Sequence, residues 1–214
     1  MIYLDSAATT VRKPRSVARA SAYAIDHVAT PGRGGHRPAM EAANIAFACR
    51  EEAAALFGVS EPERVVFTFN ATHGLNIAIK TLVKPGATVL ISGYEHNAVT
   101  RPLHAIPDVH IKVADSPLFD WAAALEAFTQ KLTPEVDVVI CTHVSNVFGF
   151  VLPLEAIAAL CRQRKVPLIV DASQSAGCLP LSCSELGAAF IAMPGHKGLY
   201  GPQGTGLLLC GEIA

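Results

Sequence analysis

The fold of this chain is constrained most by a regular alternation of short apolar runs with longer segments of helical periodicity. Seven apolar runs are predicted to be β-strands, at 65–69, 88–92, 110–113, 136–142, 167–170, 189–193 and 206–210. Helical patterns precede or separate them at 14–28, 41–57, 71–83, 97–105, 119–132 and 154–165. Since parallel strands are joined by helices that cover both faces of a sheet, we predict an α/β, three-layer αβα domain with a seven-stranded, mainly parallel sheet.

A lysine among glycines follows the sixth predicted strand, at Lys197, and an acid, Asp171, closes the fifth. Both side chains are therefore expected at the carboxyl edge of the sheet, where α/β domains bind their ligands. A lysine amine forms a Schiff base with an aldehyde, and a carboxylate that faces a pyridine nitrogen keeps this nitrogen protonated. Taken alone, a lysine such as Lys197 is more often a solvated loop residue, and an acid such as Asp171 is more often a strand-end cap. As a pair, they predict a site for pyridoxal phosphate (PLP).

Other strand ends carry polar groups that suit such a site. The helix after Asn70 offers free N–H groups, its dipole and the Thr72 hydroxyl to a phosphate, although either residue can be a simple N-cap. His96 can lie on the cofactor ring and move protons, although a lone histidine at a strand end is more often structural. Asn146 and Gln174 follow the fourth and fifth strands, where an amide can reach the phenolic oxygen of the cofactor.

Composition and charge exclude several classes of function. A formal net charge of −1 gives no electrostatic basis for binding nucleic acid or an anionic membrane. The longest uncharged stretch, 138–154, contains polar residues and a proline, so we expect no membrane span, and because Asp5 interrupts the apolar start we also expect no signal peptide. The six cysteines show no CxxC pair and no metal-ligand spacing with histidine, so we predict a reduced, cytoplasmic protein without a metal site.

Six segments together resemble the class V aminotransferase superfamily and, within it, the cysteine desulfurases and selenocysteine lyases. They are YLDSAATT at 3–10, NATH at 70–73, EHN at 95–97, HVSN at 143–146, VDASQSAG at 170–177 and GHK at 195–197. The resemblance implies an N-terminal segment over 1–30 and a PLP-binding large domain of fold type I over 31–214, with the small C-terminal domain of the family absent. It also implies a homodimer, and the 51% of hydrophobic residues fits a surface that a partner covers.

The resemblance implies a role for each of these residues. Lys197 forms the Schiff base with PLP, Asp171 contacts its pyridine nitrogen, and His96 stacks on its ring. Lys197 and His96 are the implied catalytic residues. The implied cofactor-binding residues are Ala71, Thr72, His96, Asn146, Asp171, Gln174, His196 and Lys197. Pro194 departs from the family pattern, because many relatives carry a serine there as a phosphate ligand.

The implied reaction converts L-cysteine, or a similar amino acid, to L-alanine, and an enzyme cysteine takes the sulfur as a persulfide that a sulfur-acceptor protein can receive. None of the six cysteines matches this nucleophile, so we expect a truncated chain that is inactive alone. The alternatives are another class V aminotransferase-type PLP enzyme and a non-catalytic scaffold that keeps the large-domain fold. A Rossmann-like nucleotide binder ranks last, since the GxGxxG and P-loop patterns are missing.

Overall fold

The computed structural model describes residues 2–212, and seven strands within them form one sheet. The strands are β1 (Val65–Thr68), β2 (Thr88–Ser92), β3 (His110–Ala114), β4 (Val138–Thr142), β5 (Leu168–Asp171), β6 (Phe190–Pro194) and β7 (Gly206–Cys210). Each coincides with a predicted apolar run, apart from one or two residues at its ends. Met1 and residues 213–214, which include the predicted end of the large domain, lie outside the described residues.

The prediction of a mainly parallel sheet is confirmed by the strand order β1-β7-β6-β5-β4-β2-β3. The pairs β2–β3, β2–β4, β4–β5 and β5–β6 are parallel, whereas β7 is antiparallel to both β6 and β1. The reversal at β7 follows from its connection, because residues 195–205 join β6 to β7 without a crossover helix. This loop therefore lies at the carboxyl edge of the sheet.

The described helices are α1 (Arg15–His27), α2 (Arg37–Phe57), α3 (Ala71–Leu82), α4 (Asn97–His104), α5 (Trp121–Lys131), α6 (Leu154–Arg164) and α7 (Cys183–Leu186), with a 3₁₀ turn at Pro62–Arg64. The prediction that α2 begins at residue 41 was wrong, because Pro38 occupies its first turn, where proline costs no helical hydrogen bond. The four-residue α7 was not predicted, since so short a helix shows no periodicity. None of the helices within 2–212 is long and apolar enough to cross a membrane.

Two hydrophobic clusters lie on opposite faces of the sheet and confirm the three-layer architecture. Successive residues of one strand alternate between them, as Val89 and Ile91 belong to one cluster and Leu90 to the other. The helices α3 and α4 cover the first face with buried residues such as Leu75 and Val99, while α2, α5 and α6 cover the second. The boundary at residues 30 and 31 stays a prediction, although α1 has no buried residue.

Candidate active site

A cavity of about 300 Å³ lies at the carboxyl edge of the sheet, between the ends of β4, β5 and β6 and the start of α3. All eight residues that the sequence suggested for cofactor binding line it: Ala71, Thr72, His96, Asn146, Asp171, Gln174, His196 and Lys197. Residues Ala7 and Ala8 add the N-terminal segment to its wall. The topology thus brings together groups that are scattered over most of the sequence.

Asp171 is the last residue of β5, and only 2% of it is exposed. Its Oδ1 accepts hydrogen bonds from the backbone N–H of Ser173, at 2.9 Å, and from the Ser173 hydroxyl. Burial raises the pKa of this carboxyl, while the bonds from Ser173 and the charges of His96 and Lys197 oppose the rise. Ser173 contacts only Oδ1, and Asp171 lines the cavity.

Lys197 lies half-buried in the loop between β6 and β7. Burial lowers the pKa of its amine, and the charge of Asp171 opposes this effect. The loop is tight at Gly198, where a Cβ atom would lie 2.3 Å from the carbonyl oxygen of Ala176. Glycine is therefore required beside the lysine, and the close approach of the two segments fixes the position of Lys197. An amine with a lowered pKa and a fixed position is suited to act as a nucleophile.

The start of α3 lines the same cavity as Lys197. The Asn70 side chain caps the helix by accepting a hydrogen bond from the N–H of His73 at 2.8 Å, so the N-cap interpretation of Asn70 is correct. Ala71 and Thr72 line the cavity, and as the first two residues of the helix their N–H groups have no acceptor within it. The dipole of the 12-residue helix adds partial positive charge at the same place. Pro194, which also lines the cavity, has neither an N–H nor a hydroxyl to add.

The N-terminal segment holds two of the suggested residues in place. His196 Nδ1 lies 3.0 Å from the hydroxyl oxygen of Thr9, and the His196 carbonyl accepts bonds from the N–H of Thr10 at 3.0 Å and its hydroxyl at 2.8 Å. Gln174 Nε2 donates to the carbonyl of Ala7 at 3.0 Å. Burial lowers the pKa of His196, and the charges of Lys197 and Lys13 add to this effect. Sequence reasoning did not foresee these contacts, which join residues far apart in the chain.

His96 follows β2 and caps α4, since its Nδ1 accepts a hydrogen bond from the N–H of Ala98 at 3.0 Å. A backbone N–H only donates, so Nδ1 is unprotonated and the proton of the neutral ring lies on Nε2. The ring is exposed and lines the cavity. Asn146 is also exposed, at the rim, in a turn closed by the bond from the Ser145 N–H to the Phe150 carbonyl at 2.9 Å.

Glu95 belongs to the EHN segment at 95–97, but the sequence analysis gave it no role. Its Oε1 accepts bonds from the Ser92 hydroxyl at 2.5 Å and from the N–H of Thr142 at 2.7 Å. Burial raises the pKa of Glu95 to about 8, although the bonds from Ser92 and Thr142 oppose the rise. The signal in the sequence was weak, namely an acid next to His96 and three residues after a serine at a strand end.

Neither a metal cluster nor a cavity thiol is found in the part of the chain that the structure describes, residues 2–212. No group of three or more His, Cys, Asp or Glu residues within it is placed to hold a metal ion. No cysteine of these residues lines the cavity. Cys141 and Cys161 are buried, and burial raises the pKa of both thiols, so neither is suited to act as a nucleophile.

Comparison with known proteins gives one consistent result. A family model described as aminotransferase class-V matches residues 2–213. A mitochondrial cysteine desulfurase of Drosophila melanogaster is 31% identical over 97% of this chain and 46% of its own length. The apo structure of a cysteine desulfurase from Thermococcus onnurineus superposes with a TM-score of 0.89 and 28% identity, over 99% of this chain and 54% of its own.

A structure of SspA in complex with cysteine is also similar, with a TM-score of 0.84 and 26% identity over 98% of this chain and 61% of its own. The chain spans about half the length of the curated relatives that it matches.

Proposed function

Because this chain belongs to the class V aminotransferase family, we propose that its cavity binds pyridoxal 5′-phosphate and serves a cysteine desulfurase reaction. The observation that carries the proposal is the meeting of Lys197, Asp171 and the start of α3 in one cavity. Similar proteins are named cysteine desulfurases, and the similar SspA was solved with cysteine, which supports an amino acid substrate of this kind. We propose residues 31–214 as the cofactor-binding domain and 1–30 as a segment that closes one side of the site.

The side chains of the cavity fit this cofactor. An aldehyde needs an amine, and Lys197 supplies one with a lowered pKa. A pyridine nitrogen needs an acid, and Asp171 supplies a buried carboxyl with one oxygen unoccupied by Ser173. A phosphate needs N–H and hydroxyl donors, which Ala71 and Thr72 present at the start of α3. The cofactor, when bound, supplies an electron sink for the carbanion that forms when an amino acid loses its α-proton.

We propose that residues of the chain transfer protons, orient the ligands and exclude water. Lys197 Nζ, as a neutral amine, takes the proton that leaves the α-carbon of the substrate. His96 holds a proton on Nε2, because Nδ1 is engaged by Ala98, and can donate a hydrogen bond from Nε2 to a ligand in the cavity. The ammonium of Lys197 then returns the proton to the substrate. Asn146 at the rim and Gln174, held through Ala7, orient the polar groups of the ligands. Since the N-terminal segment and the loop of Lys197 are joined by hydrogen bonds, they exclude water on this side of the cavity.

The reaction must transfer the sulfur to a thiol. Among residues 2–212, no cysteine lines the cavity. In the net reaction the Cβ–S bond of L-cysteine breaks, the sulfur joins the acceptor thiol as a persulfide, and the proton of that thiol goes to Cβ, giving L-alanine. We propose that the acceptor thiol belongs to another protein or to a segment outside this cavity. We also propose a homodimer, since large apolar side chains such as Phe69 and Phe47 are exposed.

The absence of a cavity thiol within 2–212 favours, as a second candidate, another class V reaction such as amino-group transfer, which needs no sulfur acceptor. The two candidates differ in their products. With L-cysteine and a thiol acceptor, a desulfurase gives alanine and sulfide or persulfide, whereas amino-group transfer gives a keto acid. Both depend on Lys197.

The proposal is tested by the visible absorbance of the purified chain with added PLP, before and after reduction with borohydride. We expect a visible band, and reduction should then fix the cofactor covalently to Lys197, as peptide mass spectrometry would show. Lys197→Ala should abolish band and label, while Lys80→Ala, which changes an exposed lysine of α3, serves as the matched control. A folded chain that shows no band, or a label on other lysines, would contradict the proposed cofactor site.

A further inference from the structure

The carboxyl group of Glu95 links two neighbouring strands below the cavity. Its Oε1 accepts hydrogen bonds from the Ser92 hydroxyl at the end of β2 and from the N–H of Thr142 at the end of β4. Thr142 lines the cavity and pairs in the sheet with Asp171. Glu95 therefore lies one strand away from the acid of the cavity and one residue before His96.

The surroundings of Glu95 do not suit a negative charge. Its second oxygen, Oε2, is shielded from solvent and has no hydrogen-bond partner among residues 2–212, and neither of the two salt bridges in that range involves it. The titratable groups that face it are Asp171 of β5 and the buried Cys141 of β4, neither of which is a cation. An unpaired buried carboxylate costs much more than a buried neutral acid, so protonation is the favoured state.

On the premise of the proposed function, we propose that Glu95 is a positioning residue that works in its uncharged, protonated form. It ties the end of β2 to the end of β4 and so fixes His96 at the cavity. Because Glu95 carries no charge, Asp171 is, among residues 2–212, the one carboxylate whose charge faces the pyridine nitrogen. A second negative charge one strand away would raise the pKa of Asp171. Its carboxyl would then be protonated more readily and would stabilise a protonated pyridine nitrogen less.

The protonation state can be measured on the chain without cofactor. Glutamate labelled with ¹³C at the side-chain carboxyl gives one resonance for Glu95, which Glu95→Gln identifies by its loss. We expect this resonance to titrate near the pKa of about 8 that burial produces. A midpoint at the ordinary value for glutamate, roughly 4.3, or below it, would overturn the proposal.

Stability gives a second readout in the same cofactor-free protein. When folding raises the pKa of a carboxyl, the folded chain becomes less stable as the pH rises from the unfolded pKa to the folded pKa. Glu95→Gln has no such carboxyl, so its stability does not fall in this way. The folding equilibrium constant of Glu95→Gln, relative to that of the native chain, should therefore rise by roughly tenfold per pH unit over this range. Glu126→Gln, an exposed control on α5, should give a constant ratio. A constant or falling ratio for Glu95→Gln would overturn the proposal.

The positioning role is tested by the affinity for PLP, measured through the visible band. Glu95→Ala removes the tie between the strands and should raise the Kd by roughly tenfold, whereas Glu95→Gln, which keeps an acceptor oxygen, should restore most of the affinity. Native affinity in Glu95→Ala, or an equal loss in both variants, would overturn the role. If the native chain binds no PLP, the proposed function and the positioning role both fail, while the titration still decides the charge of Glu95.

Discussion

The contact between the N-terminal segment and the lysine loop can be tested by Thr10→Val, which removes a hydroxyl and keeps the shape of the side chain. The Thr10 hydroxyl is shared between the carbonyl of His196, at 2.8 Å, and that of Lys197, at 3.0 Å. A hydroxyl has one proton, so these contacts count as one hydrogen bond, with a net contribution of about 1 kcal/mol. The N–H of Thr10 still donates to His196, so the segment should loosen rather than detach.

We therefore expect Thr10→Val to lower the free energy of unfolding by about 1 kcal/mol, as urea titration would show by a lower midpoint with an unchanged slope. The affinity for PLP should fall by at most about fivefold, the equivalent of the same free energy. Thr81→Val is the matched control, because the Thr81 hydroxyl bonds only to Ile77 in its own helix. If Thr10→Val were as stable as Thr81→Val and bound PLP like the native chain, the contact would play no part in holding the lysine loop.

Three further changes probe the cavity and the lysine loop beside it. Gly198→Ala places a Cβ 2.3 Å from the carbonyl oxygen of Ala176, so thermal unfolding should show a loss of about 2 kcal/mol or more. Asp171→Asn removes the charge that raises the pKa of Lys197, so this pKa should fall further, and amine labelling followed by mass spectrometry should reach half its maximum at a lower pH. Pro194→Ser adds a hydroxyl to the cavity wall as a further donor for the proposed phosphate and should lower the Kd for PLP by roughly tenfold, measured through the visible band.

Much of the fold was predictable because most of its helices and strands have a recognisable local sequence pattern. The three central residues of β2, Val89–Ile91, form an apolar run, and the start of α3 follows directly from Asn70, which caps it. The direction of β7 could have been inferred as well, since too few residues separate it from β6 for a crossover helix. By contrast, α7 consists of only four residues, which is too short for a periodic pattern.

The sequence predicted which residues line the candidate site better than it predicted the hydrogen bonds that they make. Strand ends fix which residues reach the cavity, so Asp171 and Lys197 could be placed from the sequence, although the roles of the lining residues stay predictions. The partners of Gln174 and His196 could not, because their hydrogen bonds cross 167 and 187 residues of sequence. Nor could the state of Glu95, because the number of donors around a carboxyl is a property of packing and leaves no pattern in the sequence.

The long separation between Thr10 and His196 in the sequence also determines when their contact can form during synthesis of the chain. The two residues lie 186 positions apart, so the ribosome must deliver nearly the whole of this sequence before they can meet. The N-terminal segment can meet Gln174 once β5 has been made, but the lysine loop follows only after β6. Because contacts between distant residues form slowly, assembly of the lysine loop against the N-terminal segment should be a late event of folding. A nascent chain stalled before β6 would carry the residues that we propose for the phosphate, but not the amine of Lys197.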